Sequence, residues 1–180
     1  IAKYLPDSVA ANPAVKKISF LQLLNHTSGL PRLPENMNIS PDDLDPYKQY
    51  DVNQLFGYLK AAVTKPDGKS NYSNLGMGLA GVLAERISDM SYDSLLEKLI
   101  FRAFGILKES EPFHNPNLIA SKGYLDSVPV GYWNMNALTA AGGLKCTAKE
   151  MVSYLSFMSV PGNKEAASII NNLLIPTATV

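Results

Sequence analysis

The sequence predicts a mainly helical domain with few strands, and three observations carry that expectation. Apolar residues recur at helical spacing in successive stretches along the chain. Most of these stretches open on a residue suited to capping a helix, namely Ser19, Asp51, Ser91 or Thr147. Strand-like pieces are confined to a segment from Glu109 to Tyr132 that also holds scattered Pro, Asn, Ser and Gly.

The chain has 180 residues, 46% of them apolar, which suits one domain spanning 1–180 with a real core. Sixteen basic residues balance sixteen acidic ones, so no electrostatic footprint points to nucleic acid or an anionic membrane as partner. The longest apolar run, near Leu75 to Leu83, falls well short of the roughly 20 residues a membrane span needs. Cys146 is the only cysteine and cannot form an internal disulfide; it is expected to be a small buried residue and leaves the compartment open. The chain begins at Ile1 without an initiator Met and ends at Ile175-Pro-Thr-Ala-Thr-Val180, so it is expected to be a trimmed piece.

The first expected helix follows Ser19, with Phe20, Leu21, Leu23 and Leu24 as its apolar residues and Gly29 as its stop. Residues from Pro31 to Pro46 are too polar and too punctuated for a regular element and are expected to form a surface loop. Asp51 caps a second helix through Val52, Leu55, Phe56 and Leu59, which ends before the turn Lys65-Pro-Asp-Gly68. A third helix is expected from Leu75 to Ile87. Its Gly76, Gly78 and Gly81 each cost roughly 1 kcal/mol against alanine, so they predict close approach to another backbone. Ser91 caps a fourth, with Leu95, Leu96, Leu99 and Ile100 on one face and an end at Gly105. Thr147-Ala-Lys-Glu150 has capping-box spacing before an amphipathic helix, and a last helix is expected from Lys164 to Leu174.

Three patterns bear on function, in this order along the chain. The first is the helix ending in His26-Thr-Ser-Gly-Leu30, the second is Tyr72-Ser-Asn74 at the mouth of the small-residue helix, and the third is Ala141-Gly-Gly-Leu144. Each alone is weak; together, in order and spacing, they resemble the β-lactamase and penicillin-binding protein family of serine hydrolases, in the branch whose second motif is Tyr-x-Asn. The resemblance runs from Ile1 to about Met158. It implies the helical lobe of the β-lactamase/transpeptidase-like α/β fold, without most of its antiparallel sheet.

The resemblance also assigns roles. Acyl transfer needs an activated serine, a donor that places the substrate amide and an oxyanion hole. Tyr72 would shuttle the proton of the nucleophile and the leaving group, and Asn74 would position the substrate carbonyl. A free tyrosine ionises near pH 10, so half-ionisation near neutrality needs roughly 4 kcal/mol of help from cations. The family supplies these from the lysine of Ser-x-x-Lys and from a third motif, Lys-Thr-Gly in much of the family. No serine of this chain has a lysine three residues on, and no Lys-Thr-Gly or His-x-Gly follows Leu144. Both elements are expected outside the chain, which alone is expected to be inactive.

Bland readings stand beside these. Tyr72 and Asn74 can be a half-buried aromatic and a cap, and the alternative function is a non-catalytic helical binding domain or a pseudoenzyme derived from the family. His26 beside Ser28 invites Ser-His chemistry, but neighbours at a helix end rarely converge, and the segment is assigned to closing a helix and shaping the site wall. Tyr132 and Trp133 can line a substrate groove or simply pack, and Gly142 and Gly143 serve as groove candidates that permit a tight backbone path. His114 lies in a loop with no partner pattern, and no spacing of His, Cys, Asp or Glu calls for a metal or other cofactor. The resemblance further implies a small-molecule or peptide substrate, a periplasmic or extracellular location, and an apolar face open to self-association.

Overall fold

The computed structural model describes residues 1–40, 42–64, 66, 68–102, 119–159 and 164–178. The expected end of the fourth helix at Gly105 and the loop around His114 lie outside them. The described residues form two compact units, one drawn from 1–92, 122–144 and 178, the other from 93–102, 119–121, 145–159 and 164–177.

The first unit opens with two short helices that helical periodicity does not flag, α1 (Asp7–Ala10) and α2 (Pro13–Lys16). Asn12 explains the second: its side chain accepts from the Ala14 amide at 3.0 Å, with proline at the first helical position where a missing N–H costs nothing. Its carboxamide also donates to the carbonyls of Leu59 and Ala62 at 2.8 and 2.9 Å, which ties α2 to the end of a later helix. Helix α3 (Phe20–Leu24) follows, with the capping box of Ser19 and Gln22. It stops earlier than expected. Asn25 ends it and His26, at φ 62°, turns the chain left-handed, so that Thr27 N–H donates to Gln22 O at 2.9 Å in place of a glycine-made stop.

The segment from Pro31 to Pro46 holds no helix or strand among its described residues, but it is not wholly on the surface: Pro34 and Met37 are buried, as are Tyr47 and Tyr50 just beyond. Helix α4 (Val52–Ala61) has the capping box of Asp51 and Gln54 and buries Leu55, Phe56 and Leu59. Gly68 takes φ 80° in the turn that follows. Helix α5 (Asn74–Ser88) is the axis of the unit and buries Leu75, Leu79, Val82 and Leu83; Asp89, left-handed at φ 53°, ends it. Two of its glycines answer the expectation of close approach. A Cβ on Gly78 would stand 2.4 Å from Leu138 Cδ2 and 3.1 Å from Ala137 O, and one on Gly81 would stand 2.4 Å from Ala140 Cβ. The partner surface is the 3₁₀ turn Asn136–Leu138 and helix α7 (Thr139–Gly142).

The expected strands are a small hairpin, β1 (Gly123–Leu125) against antiparallel β2 (Val128–Val130), with Gly123 opposite Val130 and Leu125 opposite Val128. Asp126 turns it at φ 53°. It is the only sheet among the described residues.

The second unit takes most of α6 (Tyr92–Leu96), which continues as a π turn over Glu97–Phe101, together with α8 (Ala148–Ser159) and α9 (Lys164–Leu174). Glu150 completes the expected capping box, accepting from the Thr147 amide at 2.6 Å while Thr147 Oγ1 accepts from the Glu150 amide at 3.3 Å. Helices α8 and α9 pack on one another. Cys146 is exposed, not buried: it precedes the cap of α8 in a run, Leu144 to Cys146, that reaches solvent throughout.

Candidate active site

The mouth of α5 is built by two distant stretches of chain, 25–32 and 70–75. Asn71 N–H donates to His26 O at 2.8 Å, and Leu75 N–H donates to Arg32 O at 3.2 Å. Between them Ser73 is held three ways. Its amide donates to His26 Nδ1 at 3.2 Å, its hydroxyl donates to Pro31 O at 2.7 Å, and the same oxygen caps α5 by accepting from Gly76 N–H at 2.8 Å. The middle residue of Tyr72-Ser-Asn74 is thus fully buried, while Tyr72 on one side of it is 55% exposed. The chain passes from exposed to buried here, Asn71 and Tyr72 lying outside and Ser73 to Gly76 inside, so the last exposed residue is a phenol.

Two side chains border the Tyr72 ring. The His26 imidazole lies at 4.7 Å between centroids and tilted by 49°. The Arg32 guanidinium stands 5.9 Å from the ring centroid, within cation–π range. Because Nδ1 of His26 accepts from a backbone amide, the neutral ring carries its proton on Nε2. Asn74 is 9% exposed, and among the described residues its carboxamide has no hydrogen-bond partner. A tightly fixed turn therefore presents a phenol and an amide two residues apart.

Ser28 takes no part in this. It is fully buried, its Oγ accepts from Leu30 N–H at 3.3 Å and its carbonyl accepts from Thr64 Oγ1 at 2.8 Å, so the sequence neighbours His26 and Ser28 do not converge. The contact of His26 with Ser73 is invisible to local patterning, because 47 residues separate them. The left-handed φ that aims the ring leaves no mark in the sequence either, since histidine is not an obligatory residue there.

The other four candidates sit elsewhere in the same unit. Trp133 is half exposed and meets Tyr47 at 5.3 Å between ring centroids, while Tyr132 is exposed beside it. Asn134 N–H donates to Asp45 Oδ1 at 2.7 Å and Asn136 Nδ2 to Lys48 O at 2.8 Å, so this aromatic pair rides on a segment tied to the 45–50 loop. Gly142 and Gly143 end α7. A Cβ on Gly143 would lie 2.7 Å from Thr139 Cγ2 and 2.9 Å from Thr139 O, which accounts for that glycine by space. A cleft of about 200 Å³ between α5 and residues 136–140 includes none of the six candidates, and its Glu85 and Thr139 side chains are already bonded to Tyr92 N–H and Asn136 O. Among the described residues no group of three or more His, Cys, Asp or Glu could hold a metal.

The architecture matches the helical lobe of a serine hydrolase fold. Superposition on a β-lactamase/D-alanine carboxypeptidase from Pseudomonas syringae gives a TM-score of 0.69 at 22% identity, covering 92% of this chain and 45% of that one. A class C β-lactamase in complex with cefoxitin gives 0.67 at 25% identity over 93% of this chain and 45% of that one. A β-lactamase of Providencia stuartii is 25% identical over 164 residues, 86% of this chain and 38% of that protein. The β-lactamase family model matches residues 1–178, and the chain belongs to the β-lactamase family. It spans less than half the length of these relatives.

Proposed function

We propose that this chain carries the tyrosine and asparagine half of a serine hydrolase site that works through an acyl-enzyme. The observation that carries the reading is the mouth of α5, where an exposed phenol and an unpartnered carboxamide flank a thrice-anchored serine in a chain of this family. In the proposed reaction the nucleophilic serine attacks the substrate carbonyl and its proton passes to Tyr72, which enters the step as the phenolate favoured by the cations of the two motifs assigned elsewhere. Tyr72 then returns that proton to the departing amine or alcohol as the acyl-enzyme forms. Asn74 donates its amide N–H to the substrate carbonyl, and Tyr132, Trp133, Gly142 and Gly143 contribute to the groove.

The nucleophile is assigned to a Ser-x-x-Lys outside these 180 residues. Two facts support this: no serine here has a lysine three residues on, and the relatives are more than twice as long as the part matched. The proposed substrates are β-lactams, peptidoglycan stem peptides or small esters, and the proposed location is periplasmic or extracellular. No helix among the described residues is long and apolar enough to cross a membrane. Self-association is proposed through exposed apolar residues on α8 and α9, such as Val152, Leu155 and Leu173.

The test is covalent labelling of the full-length gene product with a fluorophosphonate or a fluorescent penicillin. A labelled serine followed by x-x-Lys, with turnover lowered about 10² to 10⁴-fold by Tyr72→Phe, is the expected result. Absence of label on any serine removes the hydrolase reading in favour of a non-catalytic domain. The 180-residue chain alone is expected to hydrolyse none of these probes, and measurable turnover by it would contradict the assignment of the nucleophile.

A further inference from the structure

We infer that His26 is a positioning residue for the proposed site, acting on Tyr72 and Asn74 through the backbone and ring of the turn that carries them. Its effect on turnover rests on the hydrolase reading; its effect on the turn does not. Three contacts converge on this one residue. Its Nδ1 accepts from Ser73 N–H, the amide between the two proposed catalytic side chains, at 3.2 Å. Its carbonyl accepts from Asn71 N–H at 2.8 Å, just before Tyr72. Its ring lies 4.7 Å from the Tyr72 ring.

The backbone makes this aim possible. At φ 62° His26 sits in the left-handed region, which asparagine, aspartate and histidine adopt more readily than other non-glycine residues, and that conformation ends α3 and turns the imidazole toward the mouth of α5. Glycine would satisfy the backbone more easily but would supply neither an acceptor nor a ring. Asparagine would satisfy the backbone and keep an acceptor, since its Oδ1 hangs from the same γ position as Nδ1 of histidine. Phenylalanine would keep a ring and lose the acceptor. Phenylalanine also strains the left-handed backbone, which glycine does not, so His26→Gly isolates the loss of the side chain from that strain.

A loss of the acceptor deprives Ser73 N–H, a donor on a fully buried residue, of the one hydrogen bond it makes. The turn then shifts, and the phenol and carboxamide move relative to each other. Substrate affinity built by other parts of a groove would be little affected, whereas the chemical step would be slowed.

The experiment compares His26→Asn, His26→Gly, His26→Phe and wild type in the full-length protein, the glycine variant being expected to match the phenylalanine one, and reads amide hydrogen exchange at Ser73 and steady-state hydrolysis of a chromogenic cephalosporin. His26→Phe is expected to speed exchange at Ser73 about tenfold or more and to lower kcat about tenfold, with KM within about twofold. His26→Asn is expected to restore most of the protection and most of kcat. Unchanged exchange at Ser73 in His26→Phe, or an asparagine variant no better than the phenylalanine one, overturns the inference. Exchange in the expected order with no hydrolysis by wild type supports the positioning role and removes β-lactams from the proposed substrates, leaving the hydrolase reading to the labelling test.

Discussion

The hydroxyl of Tyr50 belongs to a side chain 1% exposed and donates to Asn36 Oδ1 at 3.0 Å. Burial pushes its ionisation well above the ordinary tyrosine value, and burial followed by the Glu35 carboxylate does the same to Tyr58. The folded chain thus keeps these protons at a pH where the unfolded chain, with tyrosines near 10, releases them. Stability is fully present below about pH 10 and falls as pH rises further, by up to about 1.4 kcal/mol per pH unit for each such proton. Chemical unfolding measured from neutral to strongly alkaline pH is expected to show this fall, with a flatter profile in Tyr50→Phe. At the mouth of α5 the same scale governs the proposed chemistry. Asn74→Ala removes an amide donor and is expected to lower turnover of the full-length protein about 10²-fold with Tyr72 intact, a figure that probe hydrolysis checks directly.

At the scale of the element, two glycines give opposite expectations. Gly57 lies within α4, and a methyl group placed on its Cα would meet nothing within 4 Å, so Gly57→Ala is expected to stabilise by about 0.5–1 kcal/mol through helix propensity alone. A methyl group placed on Gly78 would stand 3.0 Å from Leu138 Cα and 3.1 Å from Ala137 O, backbone that cannot swing aside, so Gly78→Ala is expected to destabilise by about 1–3 kcal/mol. Thermal unfolding of the two variants decides both. This scale is also the most legible in the sequence. The capping boxes at Ser19, Asp51 and Thr147 and the apolar spacing behind them are local signals, and α3, α4 and α8 begin where these signals predict. What is not legible depends on distant partners. The early stop of α3 follows from the left-handed His26 and its bonds to the 70–75 stretch, and α7 exists as a surface for the glycines of α5. In the candidate site, Tyr72 and Asn74 could be named from their motif, but the residue that holds them, His26, could not.

At the scale of the molecule, several large apolar residues of the second unit are exposed. Val152 and Leu155 on α8 and Leu173 and Leu174 on α9 are 61%, 54%, 71% and 73% exposed. Such a surface favours association in water at roughly 25 cal/mol for each Å² buried. The proposed self-association predicts that the sedimentation coefficient of the 180-residue chain rises with concentration, and that Val152→Lys with Leu173→Lys suppresses the rise. A concentration-independent monomer would remove that proposal.

The two long stretches of the first unit part at Tyr92 and rejoin at Lys122, and their union runs through Ala137 N–H to Tyr50 O, Asn136 Nδ2 to Lys48 O and the glycine face of α5. None of those bonds depends on the peptide linkage between the two lengths. A single protease cut between them would leave two peptides that elute together under native conditions and separate only in denaturant, a two-piece protein held by a seam rather than by a thread.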